Sequence, residues 1–265
     1  MHHYFIRRIF KRKPFQIALA TGMLLSLFYL IADIYPNRFY GGSPYTRWIE
    51  SFTGSEVPHL LFKFMPIIAA MAAANIYASD KKAGFFDHIY LKRKKISYFA
   101  NLYGYNFILG GVIFIAPLLL NIYGCFMLLP NHQPDLVVTT NEAVPLLNST
   151  TLFPELYYAH PFLHMLMYIG IAFFSAGMFA TIALAAGMFL KQSFVIFLTA
   201  YIIDYLWNYV IPDDVENVLS YYPTLFSKQI TSPVLSWQIM VGVLCVGTAL
   251  ATIGYIFGVR KNVIK

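Results

Sequence analysis

Charge is what this chain of 265 residues has least of: Asp, Glu, Lys and Arg together make up 12% of it, about half the share of an ordinary soluble domain. So few charged groups cannot cover a water-exposed surface of this size, which excludes a soluble globular protein. Cysteine is nearly absent. Cys125 and Cys245 are the two present; both fall in apolar runs, and their spacing suits neither a disulfide framework nor a zinc site. No G-x-x-x-x-G-K-[ST] loop occurs, so the chain lacks the usual cradle for ATP phosphates. H-E-x-x-H and G-x-S-x-G are missing too, which removes the commonest hydrolase signatures. No internal repeat is evident, which weighs against a transporter built from two inverted halves. The connection 130–161 contains no Lys or Arg at all and, rich in Pro, Asn and Thr, reads as a true loop.

What is abundant is apolar length. Six runs, at about 15–34, 60–77, 103–129, 162–190, 194–211 and 237–259, alternate with polar segments. A helix rises about 1.5 Å per residue, so roughly 20 apolar residues cross a hydrocarbon core of about 30 Å. The pattern predicts an all-α polytopic membrane protein with six transmembrane helices in a single domain, 1–265. No connecting segment is long enough for a soluble domain.

Basic residues give the orientation. Arg7, Arg8, Lys11, Arg12 and Lys13 precede the first run. Lys81, Lys82, Lys92, Arg93, Lys94 and Lys95 follow the second, Lys191 the fourth, and Arg260, Lys261 and Lys265 the last. Of the 19 Lys and Arg, all but Arg38, Arg47, Lys63 and Lys228 thus fall on one side. The positive-inside rule puts that side, and both termini, in the cytoplasm. The net charge of +7 sits at membrane ends, so anionic lipid and not nucleic acid is the expected partner. The first run is longer than a signal-peptide core and no small-residue cleavage site follows it, so it reads as an uncleaved span. Before it, Tyr4, Phe5, Ile6, Ile9 and Phe10 interleave with cations, which predicts an interfacial helix over about 4–13 with its charges in water.

The segment after the second run is the most distinctive. Ser79 or Asp80 has the short oxygen that caps a helix start. Phe85, Phe86, Ile89 and Tyr90 then share one apolar edge at helical spacing. A short helix there either offers an aromatic knob to a cytoplasmic partner or rests on lipid headgroups. This segment resembles the corresponding loop of type-2 ABC export permeases, on Asp80, Gly84, the cluster Lys92, Arg93, Lys94 and Lys95, and Tyr98. The six spans, cytoplasmic termini and chain length match that family as well. The chain departs from its pattern at Phe85 and at Ile89-Tyr90-Leu91-Lys92. The resemblance implies a permease with no cofactor and no catalytic residue of its own, a separate ATP-binding subunit, and a second permease chain, like or unlike the first. It implies that Asp80, Gly84, Phe85, Phe86, Ile89 and Tyr90 form a coupling helix that docks the ATPase. It also implies short external or re-entrant helices between spans five and six, where Pro212, Pro223 and Pro233 interrupt an apolar stretch.

Polar residues within the spans are few. Asp204 lies in the outer half of span five, with Asn208 one turn on along the same face. An ionisable group at membrane depth is a functional candidate by default; Asp204 either lines a pathway or receives a cation, or it ties helices together through Lys63. His160 and His164 have the spacing of two metal ligands on one helix face, but no third ligand is near and no metal is expected. Trp48, Trp207 and Trp237 fall at outer boundaries, where indoles anchor spans. Ala172, Ala176 and Ala180, the pairs Gly177–Thr181 and Ala183–Gly187, and Gly254 with Gly258 are close-packing motifs.

The expected function is export: a non-enzymatic permease in a bacterial cell membrane. The 24 Phe and 20 Tyr favour an amphipathic peptide, antimicrobial or lipid-like cargo. Two other classes stay open, an immunity, sensor or interaction protein that does not transport, and a membrane enzyme using Asp204 or the pair His160 and His164.

Overall fold

The computed structural model describes residues 7–39, 42–48, 56–84, 95–134, 151–210, 221–229 and 235–263. Among these every regular element is a helix. Four are long and apolar enough to cross a membrane: α1 (Lys13–Asn37), α6 (Lys95–Leu128), α8 (Pro161–Gly187) and α11 (Trp237–Val263). The others are α2 (Pro44–Arg47), α3 (Glu56–Lys63), α4 (Met65–Ala70), α5 (Ile76–Lys82), α7 (Pro154–Ala159), α9 (Ser193–Val210) and α10 (Pro223–Phe226). The chain is therefore an all-α protein of the multi-pass membrane type.

Proline starts many of these helices. Pro14, Pro44, Pro66, Pro154, Pro161 and Pro223 all sit in first turns, where a missing N–H has no intrahelical partner to lose. The long helices face outward with apolar groups. On α1 Ile17, Leu24, Phe28 and Ile31 are exposed, and on α11 Val246, Leu250, Ile253 and Phe257. These follow the helical period, so each helix turns a continuous greasy stripe away from the protein, as lipid requires.

α8 is the hub, packed against α6, α11, α4 and α9. Its small residues make this possible. Ala172, Ala176, Ala180 and Ala183 have no exposed surface. A Cβ on Gly110 of α6 would lie 2.4 Å from the Ala180 Cβ, and one on Gly187 would lie 2.6 Å from the Ala74 carbonyl oxygen. The small-residue motifs of α8 thus serve contacts inside this chain. Gly258 does likewise at the end of α11, where a Cβ would meet the Met188 Cβ at 2.5 Å.

The expected single span over 60–77 is not one helix. It is divided among α3, α4 and α5, with a break at Phe64 and a turn over 71–75. Pro66 cannot donate to the Phe62 carbonyl, which ends α3. In the turn, Ala72 N–H reaches Ala69 O at 3.2 Å and Ile76 N–H reaches Ala73 O at 3.0 Å, three residues back where an α-helix goes four. Within a membrane domain, non-helical backbone is tolerated only when protein surrounds it. Ala69, Ala70, Ala73 and Ala74 are fully buried, and that condition is met. α9 follows the fifth run but at 18 residues is close to the lower limit for a crossing.

Three further expectations change. The 130–161 connection is not all loop: Thr151 and Leu152 are buried and α7 follows them. Trp48 is not an interface anchor, because it has no exposed surface and its indole N–H donates to Gln229 Oε1. Trp207 and Trp237 remain partly exposed. Residues 7–10 are helical, but Ile9 is fully buried and Arg8 and Arg12 turn into the protein, because anionic and hydroxyl partners await them on α5.

Candidate functional site

The basic ends of the helices meet at one pole of the bundle. Asp80, in the last turn of α5, has no exposed surface. Arg8 forks onto it, Nη1 donating to Oδ2 at 2.9 Å and Nη2 to Oδ1. Tyr98, in the first turns of α6, donates its hydroxyl to Oδ2 at 2.6 Å. One turn aside, Arg12 Nη2 donates to Ser79 Oγ at 2.8 Å. A planar guanidinium matches the two carboxylate oxygens in a way a point charge cannot, and the phenol takes up a further lone pair. Asp80 is thus the knot between the N-terminal segment, α5 and α6. It does not cap a following helix, as expected, because Ser79 and Asp80 lie inside α5 with their side chains already engaged.

Gly84 ends this element. Its φ of +68° is the left-handed value that only glycine adopts without strain. Ala83 N–H closes on Ser79 O at 3.0 Å and Gly84 N–H on Lys81 O at 3.3 Å, so the last carbonyls of α5 are satisfied as the chain turns away. Phe85, Phe86, Ile89 and Tyr90 lie outside the described residues. The flanks of their segment are held firmly nonetheless: Gly84 and Lys95 bound it, and Asp80 and Tyr98 are hydrogen-bonded across its base.

More ties gather at this pole. Lys81 Nζ donates to Asn262 Oδ1 at 2.9 Å, and Asn262 Nδ2 to Met188 O at 3.1 Å. Tyr255 donates to Phe99 O at 2.8 Å, and Asn75 Nδ2 to Ser193 Oγ at 2.9 Å. The ends of α5, α6, α8, α9 and α11 are therefore linked by side-chain hydrogen bonds. Sequence reading missed these pairs, since each joins residues far apart in the chain. Arg8 and Asp80 are separated by 72 positions. The one legible hint was an acidic residue at the end of an apolar run with cations on the same side.

The opposite pole holds a second polar network. His164 is fully buried. Its Nε2 lies 2.8 Å from the Leu152 carbonyl oxygen, to which it must donate. Nδ1 therefore accepts from Gln229 Nε2 at 3.1 Å, and Gln229 in turn accepts from Trp48. Tyr168 receives the Leu152 N–H at 2.8 Å. With both ring nitrogens engaged, His164 is a structural link between α2, α8 and the 221–229 segment. His160 is the hinge residue between α7 and α8. No group of three or more His, Cys, Asp or Glu is placed to hold a metal among the described residues. Nearby, Lys228 donates to His59 Nδ1 at 3.0 Å.

Asp204 stands apart from both networks. It is 7% exposed, and its buried Oδ1 has no hydrogen-bond partner among the described residues. Lys63 is exposed and does not reach it, so the expected tie between these two is not made. Asn208, on the same face of α9, likewise has a buried Oδ1 without a partner. Asp204 lines a cleft of about 400 Å³ with Trp207, Phe179, Met178, Val243 and Gly247.

No family model, no curated protein and no solved structure matches this chain.

Proposed function

We propose that this chain is the membrane-spanning permease subunit of an ATP-driven exporter, working with a separate ATP-binding subunit and a second permease chain. The observation that carries this reading is the knot at Asp80. Ten residues, 85–94, connect Gly84 after α5 to Lys95 at the start of α6, and Asp80 and Tyr98 on either side of that connection bind one another. A push on that segment is delivered to α5, to α6 and, through Arg8, to the N-terminal segment that leads into α1. This is the mechanical layout that a coupling element needs. In this reading residues 60–77, divided among α3, α4 and α5, form a second, interrupted crossing and α9 a fifth, giving six spans. The basic pole is cytoplasmic by the positive-inside rule, and Phe85, Phe86, Ile89 and Tyr90 dock into the ATPase. The apolar lining of the membrane domain suits an amphipathic peptide, antimicrobial or lipid-like cargo.

The test is copurification from native membranes in mild detergent, with an affinity tag at the C-terminus. The wild-type chain should bring down an ATP-binding subunit, and Phe85→Ala/Phe86→Ala should lose it while the chain itself stays folded. If no ATP-binding subunit accompanies the wild type, the reading fails.

A further inference from the structure

The cleft beside Asp204 has the makings of a ligand site in its own right. α9 and α11 both pack on α8 without packing extensively on each other. The gap between them is floored by Met178, Phe179 and Ile182 of α8 and closed at one end by Pro223. Its volume of about 400 Å³ falls within the roughly 300–1,000 Å³ of small-molecule pockets, which are typically apolar with a few placed polar groups. Here the lining is almost wholly hydrocarbon. Thr199 also lines it, but its hydroxyl is spent on the Val195 carbonyl at 2.8 Å. Trp207 presents an indole whose N–H donates away, to Tyr221 O at 3.0 Å, leaving the ring as what it offers the cleft. Asp204 is the single acidic or basic group on the wall.

A carboxylate this deep in apolar surroundings is costly unless something answers its charge. Within the described protein nothing does, since no cation or donor reaches Oδ1. A larger recess of about 880 Å³ between α6, α8 and α11 carries no acidic or basic group on its wall, and nothing there would distinguish a ligand from lipid. The Asp204 cleft is different because it pairs an apolar volume with one carboxyl group lacking a protein partner and one aromatic face, the two features that can receive an organic cation.

We propose that the cleft between α8, α9 and α11 binds a hydrophobic monocation, an amine or quaternary cation with a bulky apolar body, whose charge is received by Asp204 and whose body lies against Trp207 and Phe179. A doubly charged or strongly hydrated cation does not fit, because one carboxylate and a dry wall cannot replace its water. The site is a property of this chain alone and stands apart from whether the chain partners an ATPase.

The test is saturable binding of radiolabelled tetraphenylphosphonium to the purified full chain in nanodiscs of uncharged lipid, with empty nanodiscs as the blank. Triphenylphosphine oxide serves as the neutral comparator. Wild type should bind the cation saturably and prefer it to the neutral compound. Asp204→Asn should bind it at least about tenfold more weakly, and Asp204→Glu should keep most of the affinity. Should Asp204→Asn fail to fold, Ala251→Phe, which fills the cleft from α11 and leaves Asp204 in place, should abolish binding. Equal affinity of wild type and Asp204→Asn for the cation overturns the proposal, and so does equal binding of the neutral compound, which would mark the cleft as a groove for lipid chains.

Discussion

At the basic pole Asp80 receives two donors from Arg8 and one from Tyr98; in the cleft between α9 and α11 no donor reaches Oδ1 of Asp204. Both carboxyls are withdrawn from water among apolar helices, and only one has been given partners. The difference extends to the packing around them. Near Asp80 the helices are tied pairwise by Lys81, Asn262, Tyr255 and Asn75, and the Ala74 carbonyl lies close against the backbone of α8 at Gly187. Near Asp204 the helices diverge and leave a void. A buried charge with its partners holds a structure together, whereas one without them is free to bind something else.

The largest way to break this contrast is to strip Asp80. Arg8→Met leaves a fully buried carboxylate with the Tyr98 phenol and the nearby charge of Arg12 but no direct cationic partner, and should destabilise the folded protein by about 3 kcal/mol, toward the lower end for buried pairs because the Arg8 side chain is partly exposed. Thermal unfolding in detergent would show it, and adding Asp80→Leu should recover most of the loss. The packing contrast comes next. Gly187→Ala drives a methyl into the Ala74 carbonyl and should cost about 1–3 kcal/mol. Gly247→Ala meets only the flexible Met178 sulfur across the cleft and should cost less than about 1 kcal/mol. The same unfolding assay ranks the two, and the reverse order would mean that the cleft is not open. Asp204→Asn should change stability by less than about 1 kcal/mol, because it replaces a buried carboxyl whose Oδ1 has no partner with a neutral group of the same size and breaks no bond. A loss as large as that of Arg8→Met would show that Asp204 has a structural partner after all.

The smallest effect is one of pH. His59 accepts from Lys228, and burial together with that lysine's charge lowers its pKa below the ordinary 6.5. A base whose folded pKa is depressed binds more protons unfolded than folded, so stability falls as pH drops below about 6.5. Protonating His59 expels Lys228 and loosens the 221–229 segment that closes the cleft, while the Asp80 knot is unaffected. Tryptophan emission followed between pH 7.5 and 5 should change in wild type and much less in His59→Gln.

How far the sequence discloses this depends on whether a feature is local. The four long helices are legible because twenty apolar residues in a row admit one reading in lipid, and their observed limits lie within about a turn of the runs, except that α6 begins eight residues before the third. The break in 60–77 is not, because hydropathy averages over side chains and the interruption lies in the backbone. Pro66 was the sole local sign of it. Trp48 resembles an interfacial indole until Gln229, 181 positions away, turns out to accept its proton. Asp80 stands out as an acidic residue beside a turn, but that Arg8 answers it could not be seen, since only the folded bundle brings them together. Asp204 was visible for the opposite reason: a lone carboxylate in an apolar run needs no partner to be noticed.

The Arg8–Asp80 knot also orders events during synthesis. Arg8 leaves the ribosome 72 residues ahead of the carboxylate that will hold it. For that interval α1 is already able to enter the bilayer, while its guanidinium has only lipid phosphates to rest against. The N-terminal segment can be locked in place only after α5 has arrived and been joined by Tyr98 at the head of α6. The first part of the chain to be made is thus fastened only after about a third of the protein has followed it out, and anything attached to the N-terminus must wait until then.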